Sequence, residues 1–478
     1  MRIKRPVRAA FTLVEMMVAM ALTLFIMAII AEVFGSAQRT FSAMRTAGQL
    51  QERMRSGAMV LRRDLQSEHF DGPFVAGRGG PRVGDQRLDQ AGWVPSRRGY
   101  FEIRQFAPSI YEPIQYFVNN GGVPLTDGEG IVSTRADGPT VANPSTGHVL
   151  RMTVHLPDLS APELFAAELP ATVTAVTVNG QGPVPLAINN KINSFVTGQP
   201  FVYSRWAEVQ YFLKANGEST PQTNNGPSLP LYSLRRRVRL LAPAGFTISD
   251  MSNPNNPVPA PMTAADADFL MRRYPDVAMA RFPGPPGSSL VFVRVLGPDD
   301  VANPGSTPAP IGDPFRMPYF AYSQRLDPGG NMLETGDDIL ITDVLSFEIK
   351  AAWFSNPAFN NILPGSSPAS RPMVDPITNQ AVNSEAPFDD LPQVNPNPLV
   401  ALNPALAGQR VFDTWVNADD AIDWDKTLPT AGNGLVGFLT QRITQPPLRI
   451  NVRAVQIKIR VWDAQKEQAR QITIIQEI

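Results

Sequence analysis

The sequence has 478 residues and a net charge of −1, with 47 prolines, 35 glycines and no cysteine. The balanced charge argues against a general attraction to nucleic acid or to an anionic membrane surface. Without cysteine the chain has no disulfides, no thiol catalysis and no cysteine-based metal site. The length allows two or three average domains, or one large and elaborated domain.

The N-terminal stretch combines a basic start with a long apolar run. The run FTLVEMMVAMALTLFIMAIIAEVF covers residues 11–34, and four cations precede it: Arg2, Lys4, Arg5 and Arg8. Roughly 20 apolar residues let a helix cross a bilayer core of about 30 Å, where backbone groups find no partners except each other. The cations keep the N-terminus cytoplasmic by the positive-inside rule. We therefore predict one transmembrane helix over 11–34, with the rest of the chain translocated.

Glu15 places a carboxylate near the start of this apolar run. At a helix centre a carboxylate costs on the order of 2.5–3.5 kcal/mol on insertion scales, so such a residue usually has a role. A glutamate that reaches the headgroups from the cytoplasmic end is the alternative explanation. Ordinary secretory cleavage needs a small-x-small site after the apolar core, and the following AEVFGSAQRTF marks such a site poorly.

The residues RAAFTLVE, followed by MMVAMALTLFIMAII, resemble the class III signal of type IV prepilins and pseudopilins. The resemblance implies that prepilin peptidase removes a leader of residues 1–10 by cutting between Ala10 and Phe11, and that Phe11 is then N-methylated. It also implies that Glu15 offsets the N-terminal amine of a neighbouring subunit during assembly, because pairing lowers the cost of burying each charge. Ala10 stands where the family normally has glycine.

An amphipathic stretch over residues 35–69 continues the apolar run. No proline occurs between Val7 and Gly72. Apolar residues recur mostly three or four positions apart, as on one face of a helix: Phe34, Ala37, Phe41, Met44, Leu50, Met54, Ala58, Leu61 and Leu65. We predict one helix from Phe11 to about Leu65, whose second half packs this stripe against the chain's own sheet.

Residues 73–478 form the predicted extracytoplasmic head, with an antiparallel β-sheet and large Pro/Gly-rich insertions at about 221–330 and 355–410. Because proline removes ladder hydrogen bonds, we interpret the insertions as surface loops or arms rather than core. A helix is predicted near 413–424, and the fold class is α+β. Alternating or β-rich runs predict strands at 100–106, 110–118, 148–156, 171–178, 201–213, 231–241, 290–296, 337–354, 452–461 and 471–475, with a turn at 463–468.

Three arginines alternate along the run 231–241, so that Arg235, Arg237 and Arg239 share one strand face. A nucleic-acid groove is one interpretation of such a set. A solvated strand face is the simpler one, and we predict it here.

The later part of the chain carries a second resemblance. The segments YFLKANGES, LYSLRRRVRLL and VLSFEIKAAW, together with residues 449–478, are similar to the C-terminal sheet pattern of the minor pseudopilin J family and of PilW-type minor pilins. The resemblance implies a pilin helix followed by a multi-strand antiparallel sheet. The long insertions have no counterpart in that pattern.

No motif for catalysis or for a metal stands out. The three histidines, His69, His148 and His155, lack metal-ligand spacing and are interpreted as incidental surface residues. The acidic turns at 127–130 and 336–338 lack EF-hand spacing, which leaves structural calcium as a minor alternative. We expect no cofactor and no enzyme activity, and there is no phosphate-binding P-loop. A further group of carboxylates is interpreted as ordinary loop solvation: Glu334, Asp337, Asp338 and Asp343.

Together these patterns favour a minor pilin-like or pseudopilin-like structural subunit. It would be processed by prepilin peptidase, anchored once in the inner membrane with its head in the periplasm, and assembled through its helix with other pilin-like subunits. The fibre would be a type II secretion pseudopilus or a type IV pilus, with this chain at the tip or in a priming role. The alternative is a single-pass, membrane-anchored enzyme or binding protein unrelated to pili.

Overall fold

The computed structural model describes most of the N-terminal helix and the sheets of the head. The described ranges are 12–72, 81–89, 98–105, 147–156, 164–168, 175–178, 181–185, 201–221, 230–241, 247–248, 276–283, 289–298, 325–326, 332–333, 338–355, 410–414 and 450–478, with isolated positions between them. The predicted strand at 110–118 lies outside these residues.

One long helix, α1, spans Leu13–Gln66 and contains 54 residues, so it is about 80 Å long. It begins after Thr12, whose side chain accepts a hydrogen bond from the backbone N–H of Glu15. It is capped at its C-terminal end by Ser67, whose hydroxyl donates to the carbonyl of Arg63 at 2.9 Å. The single uninterrupted helix predicted from the sequence is confirmed over the described residues, because no proline interrupts the hydrogen-bond ladder.

Seventeen strands are found among the described residues, labelled in chain order. They are β1 Phe101–Gln105, β2 Val149–His155, β3 Phe165–Glu168, β4 Ala175–Val178, β5 Gln181–Pro185, β6 Phe201–Ser204, β7 Trp206–Ser219, β8 Pro230–Leu241, β9 Thr247–Ile248, β10 Met279–Pro283, β11 Val291–Val295, β12 Arg325–Leu326, β13 Met332–Leu333, β14 Asp338–Ser355, β15 Arg410–Asp413, β16 Ile450–Asp463 and β17 Gln468–Glu477.

Eight of these strands form one antiparallel sheet in the order β15-β1-β2-β7-β8-β14-β16-β17. The register aligns apolar residues across strands: Met152 lies opposite Val209, and Val209 lies opposite Val238. Residues directly opposite one another share a face of the sheet, so these apolar side chains form a continuous row on one face. The architecture is α+β with a large antiparallel sheet, as the strand patterns predicted.

The hairpin predicted at the C-terminus is confirmed. Strands β16 and β17 pair from Asp463 opposite Gln468 onwards. The turn between them is held by the Asp463 carboxylate, whose Oδ1 accepts the backbone N–H groups of Gln465 at 3.2 Å and Lys466 at 3.3 Å. The last residue, Ile478, is buried and continues the ladder by donating its N–H to the carbonyl of Arg453 at 2.9 Å.

The second half of α1 packs on the apolar face of the sheet, but the first half does not. Four members of the predicted stripe belong to the core: Met54, Ala58, Leu61 and Leu65. Three others are 64 %, 72 % and 65 % exposed: Phe34, Phe41 and Met44. The predicted packing is therefore confirmed for the later part of the stripe and wrong for the earlier part, because the sheet does not extend along the whole helix.

Gly57 allows α1 to approach the sheet closely. A Cβ atom at this position would lie 2.9 Å from Cγ1 of Ile341 on β14, so a side chain there would push the helix or the strand away. Leu61, one turn later, is completely buried in the core that also contains Ile341. Helix and sheet therefore form one core at this end of α1.

A second sheet of five strands has the order β10-β11-β9-β4-β5. It draws three of its strands from the region 221–330, the first predicted insertion, and the same region also contributes β8 to the centre of the large sheet. The two sheets are connected where Leu240 on β8 donates its N–H to the carbonyl of Asp276 at 2.8 Å and accepts the N–H of Ala278 at 2.9 Å.

Two predictions in the later part of the chain need correction. Asp413, predicted to begin a helix, instead ends strand β15, and residues 415–424 lie outside the described residues. Leu391, within the insertion interpreted as surface loop, is completely buried in the core. Its backbone N–H donates to Oε1 of Gln105 at 2.8 Å. A proline-rich segment can contribute single core residues without forming ladder hydrogen bonds.

Candidate assembly helix and its junction with the sheet

The N-terminal end of α1 is capped by the side chains of Thr12 and Glu15. Oε2 of Glu15 accepts the backbone N–H of Thr12 at 2.9 Å and the Thr12 hydroxyl at 3.0 Å. This reciprocal capping box satisfies donors that the first helical turn leaves free. The other predicted processing and orientation residues lie outside the described residues: Arg2, Lys4, Arg5, Arg8, Ala10 and Phe11.

The segment Leu13–Ser42 of α1 is long and apolar enough to cross a membrane. Its Thr23 hydroxyl donates to the carbonyl of Ala19 at 2.7 Å, so this polar group is satisfied within the helix. This segment is compatible with a membrane-anchored protein.

Asp64 fixes the other end of α1 to the sheet. It lies between Leu61 and Leu65 in the chain and is only 2 % exposed. The Tyr211 hydroxyl on β7 and Nε of Arg236 on β8 each donate to Oδ2 of Asp64 at 2.6 Å. Because Tyr211 and Arg236 lie directly opposite each other in the register, both donors reach the helix together. The buried carboxylate is thus paired and hydrogen-bonded, as a buried charge must be.

Protonation states support this arrangement. Burial raises the pKa of Tyr211 well above its ordinary value, and the Asp64 carboxylate raises it further. Burial lowers the pKa of Arg236, but Asp64 outweighs that effect and the pKa is raised overall. The phenol therefore remains a donor and the guanidinium remains charged.

His69 lies just beyond the helix and is 2 % exposed. Its Nδ1–H donates to the carbonyl of Thr153 at 2.7 Å, and the Thr153 hydroxyl donates to the carbonyl of His69 at 2.6 Å. Gly99 covers the same carbonyl with a φ of +84°, and a Cβ atom there would lie 2.0 Å from it. Only glycine fits this position.

The other two histidines also make defined contacts. Nδ1–H of His155 donates to Oε2 of Glu68 at 3.1 Å, and the ring stacks on Trp206 with centroids 4.2 Å apart. His148 is 1 % exposed, and its Nδ1 accepts the N–H of Ile349 at 2.9 Å. The interpretation of the histidines as incidental surface residues is therefore wrong.

We expect the free energy of unfolding to fall as the pH falls below about 6.5. Burial is the main cause that lowers the pKa of His69, and it outweighs the two carbonyl contacts and Asp64. Burial also lowers the pKa of His155. Unfolded histidines titrate near 6.5, so below that pH the unfolded chain binds more protons than the folded chain.

Denaturant unfolding of the full chain in detergent micelles, followed by tryptophan fluorescence from about pH 7.5 to 5, measures this slope. His69→Asn should reduce the slope, and His155→Asn, at a less buried position, should reduce it less. A slope that is unchanged in His69→Asn contradicts the role of this buried ring.

The sheet face away from α1 carries a buried network of charges across β1, β2, β7 and β8. Arg151, which is fully buried, donates to Oε1 of Glu208 at 2.6 Å and to Oε2 of Glu102 at 3.1 Å. Nε of Arg239 donates to Oε2 of Glu208 at 2.8 Å, and the hydroxyl of Tyr100 donates to Oε1 of Glu208. One carboxylate thus receives donors from three other chain segments.

The prediction that Arg235, Arg237 and Arg239 form a solvated face is wrong. Arg235, Arg237 and Arg239 are buried, with 8 %, 7 % and 9 % of their surface exposed. The Arg237 guanidinium lies 5.3 Å from the ring centroid of Phe212, within the range of a cation–π contact. Arginine carries apolar stems and a planar head, so a strand face can bury it where carboxylates and rings meet it.

No group of three or more histidines and carboxylates that could hold a metal occurs in the part of the chain that the structure describes. The acidic turn at 127–130 and residues 336–337 lie outside that part. Asp338 begins strand β14, and Asp343 accepts the hydroxyl of Thr342 at 2.9 Å.

Comparison with known families identifies the N-terminal segment. A model described as the prokaryotic N-terminal methylation motif matches residues 5–31. The chain carries a type IV prepilin-like signal. The match includes Ala10, Phe11 and Glu15, and it supports a pilin-like substrate of prepilin peptidase anchored in a membrane. No curated protein and no solved structure matches the chain.

The sequence patterns did not single out Asp64 at the junction of α1 with the sheet, nor Glu208 and Arg151 in the charge network. Asp64 does leave a signal, since it falls on the buried face of the helix beside Leu61 and Leu65. Glu208 and Arg151 leave a weaker signal. Polar residues that alternate within a strand predict a solvated face, and not a buried ion pair. Only the register between strands shows that they pair.

Proposed function

We propose that this chain is a minor pilin-like or pseudopilin-like structural subunit rather than an enzyme. Prepilin peptidase cuts between Ala10 and Phe11, Phe11 is N-methylated, and Glu15 pairs with the new N-terminal amine of a neighbour. The subunit then joins a type II secretion pseudopilus or a type IV pilus. Before assembly it is held in the inner membrane with its head in the periplasm.

One observation carries this proposal: a prepilin-like signal opens a single 54-residue helix whose far end is locked into a large sheet. The helix therefore connects an apolar assembly segment rigidly to the head. The exposed Met44 lies between the apolar segment Leu13–Ser42 and the part of the helix packed on the sheet, where it is available to contact a neighbouring subunit.

The size of the head supports a minor position. Within a helical fibre every subunit must share the space around its helix with its neighbours. A head built on an eight-stranded sheet and a second, five-stranded sheet is bulky for a repeating subunit. A place at the tip, or in priming assembly, avoids this crowding.

Cysteine cross-linking tests the assembly step cleanly, because the natural chain contains no cysteine. We expect Met44→Cys, at an exposed helix position, to form disulfides with other pilin-like subunits that carry cysteine in the same helix segment. Ala464→Cys, in the exposed turn between β16 and β17, is the matched control and should form none. Absence of cross-links at Met44 in fibre-forming cells would favour a lone membrane-anchored protein.

A further inference from the structure

Strand β17 leaves one edge of the large sheet open. It has a neighbour on one side only among the described strands. Native edge strands are usually blunted by proline, bulges or inward-pointing charges. The sequence of β17, QARQITIIQE, contains no proline, and its register with β16 shows no shift over ten residues. Ile475 is 54 % exposed on it.

The register shows which backbone groups face the open edge. Ile478 donates its N–H to Arg453, the residue opposite it. In an antiparallel ladder such hydrogen-bonded pairs alternate with pairs that point outward. The outward N–H and C=O groups therefore belong to the odd positions, including Gln471, Thr473 and Ile475. These groups can accept a further strand.

A groove runs between this edge and α1. It has a volume of about 550 Å³ and is lined by two facing elements. The helix supplies Gln51, Met54, Arg55, Ala58 and Arg62, and the strand supplies Arg470, Gln471 and Ile472. The floor is apolar, whereas both walls carry arginine.

The charge of this groove is positive. Arg55 and Arg62 are exposed, and the structure gives neither a carboxylate partner within the described residues. Arg470 is bound to Asp463 at 3.0 Å and still lines the groove. Exposed cations beside an open strand edge favour a ligand that brings both backbone hydrogen bonds and carboxylates.

A second copy of this chain fits the edge poorly. Antiparallel pairing of β17 with β17 requires a two-fold axis perpendicular to the sheet, which reverses every direction lying in the sheet plane. Because α1 packs flat on the sheet, its copy would then point the opposite way. Two chains anchored by α1 in one membrane cannot adopt that arrangement.

We propose that the open edge of β17 and the adjoining arginine groove bind an extended acidic segment of a different protein. The segment adds a strand to the sheet. Its carboxylates, at alternate positions, face Arg55, Arg62 and Arg470, and the residues between them are apolar and lie beside Ile475. The groove lies on the later part of α1, beyond the apolar segment Leu13–Ser42, so the inference does not rest on the proposed processing or assembly.

The probe is a dye-labelled peptide of five Glu-Val repeats, titrated by fluorescence anisotropy with the full chain in detergent micelles. We expect saturable binding that a Lys-Val peptide does not show. The double substitution Arg55→Glu with Arg62→Glu should weaken binding at least tenfold. Arg53→Glu, on the same helix but outside the groove, should change it less than twofold.

A backbone variant separates strand addition from simple charge attraction. Thr473→Pro removes an outward N–H without breaking the ladder to β16, and proline is tolerated at such edge positions. It should weaken binding at least tenfold, whereas Thr473→Ala should not, with equal thermal unfolding of the two variants as the fold control.

Three results would overturn the proposal: no saturable binding of the Glu-Val peptide, equal binding by Thr473→Pro and Thr473→Ala, or a peptide-free dimer of the full chain that Thr473→Pro abolishes. Failure of leader cleavage would leave all three readouts unchanged, so the two proposals fail separately.

Discussion

Glu15→Ala should leave the chain inserted in the membrane but abolish its incorporation into fibres. The reason is that an unpaired N-terminal amine within the apolar layer is costly, and the carboxylate of a neighbour is its best partner. We expect at least a tenfold loss of the chain from sheared or purified fibres. Quantitative immunoblotting of the fibre and membrane fractions measures this.

Glu15→Gln is the decisive companion variant. Glutamine can replace glutamate in a capping box, so it preserves the hydrogen bonds to Thr12 while removing the charge. If charge pairing drives assembly, Glu15→Gln fails as Glu15→Ala does. Thr12→Ala, which weakens the cap and retains the carboxylate, should assemble. Assembly of Glu15→Gln together with failure of Thr12→Ala would assign Glu15 a capping role instead.

Glu208→Gln should destabilise the head more than any single surface substitution. Removing one partner of a buried ion pair leaves an uncompensated charge, which typically costs about 3–5 kcal/mol. Here two guanidinium groups, from Arg151 and Arg239, would lose their common carboxylate. Denaturant unfolding of the full chain in micelles measures the change in free energy. The exposed substitution Glu477→Gln is the control and should lie within about 0.5 kcal/mol of the wild type.

Because of the Glu208 carboxylate, we also expect the free energy of unfolding to fall at acid pH, as an acid limb of the curve of stability against pH. Burial alone raises the pKa of Glu208, but Arg239, Arg151 and Tyr100 outweigh burial and lower it to about 2. The folded pKa is depressed, so the stabilisation is complete above the ordinary value near 4.5 and is lost as the pH falls from there to about 2. Glu208→Gln should flatten this limb. An equally steep limb in the variant would contradict the assignment.

Much of the fold can be predicted from local sequence patterns. The long helix follows from a proline-free stretch with helical spacing, and the strands of the large sheet follow from period-two runs such as those of β8 and β16. Local patterns do not show which strands and side chains become partners in the folded protein. The alternating arginines of β8 predict a solvated strand face, because their partners, such as Glu208, lie on other strands and become neighbours only through the register.

The limits on the site have the same origin. Ala10, Phe11 and Glu15 belong to one contiguous motif, so sequence alone can nominate them. Asp64 and His69 act through contacts made across the fold with Tyr211 and Thr153. Leu391 shows the opposite error, since a proline-rich composition argues against strands but does not keep a single leucine out of the core.

The most direct test of the pilin-like account is the mass of the N-terminal peptide of the native protein, purified from cells with an active prepilin peptidase. The account predicts a chain that begins at N-methylated Phe11, and retention of residues 1–10 when the peptidase is deleted. An intact leader in peptidase-positive cells, or a cut beyond residue 34, would contradict it.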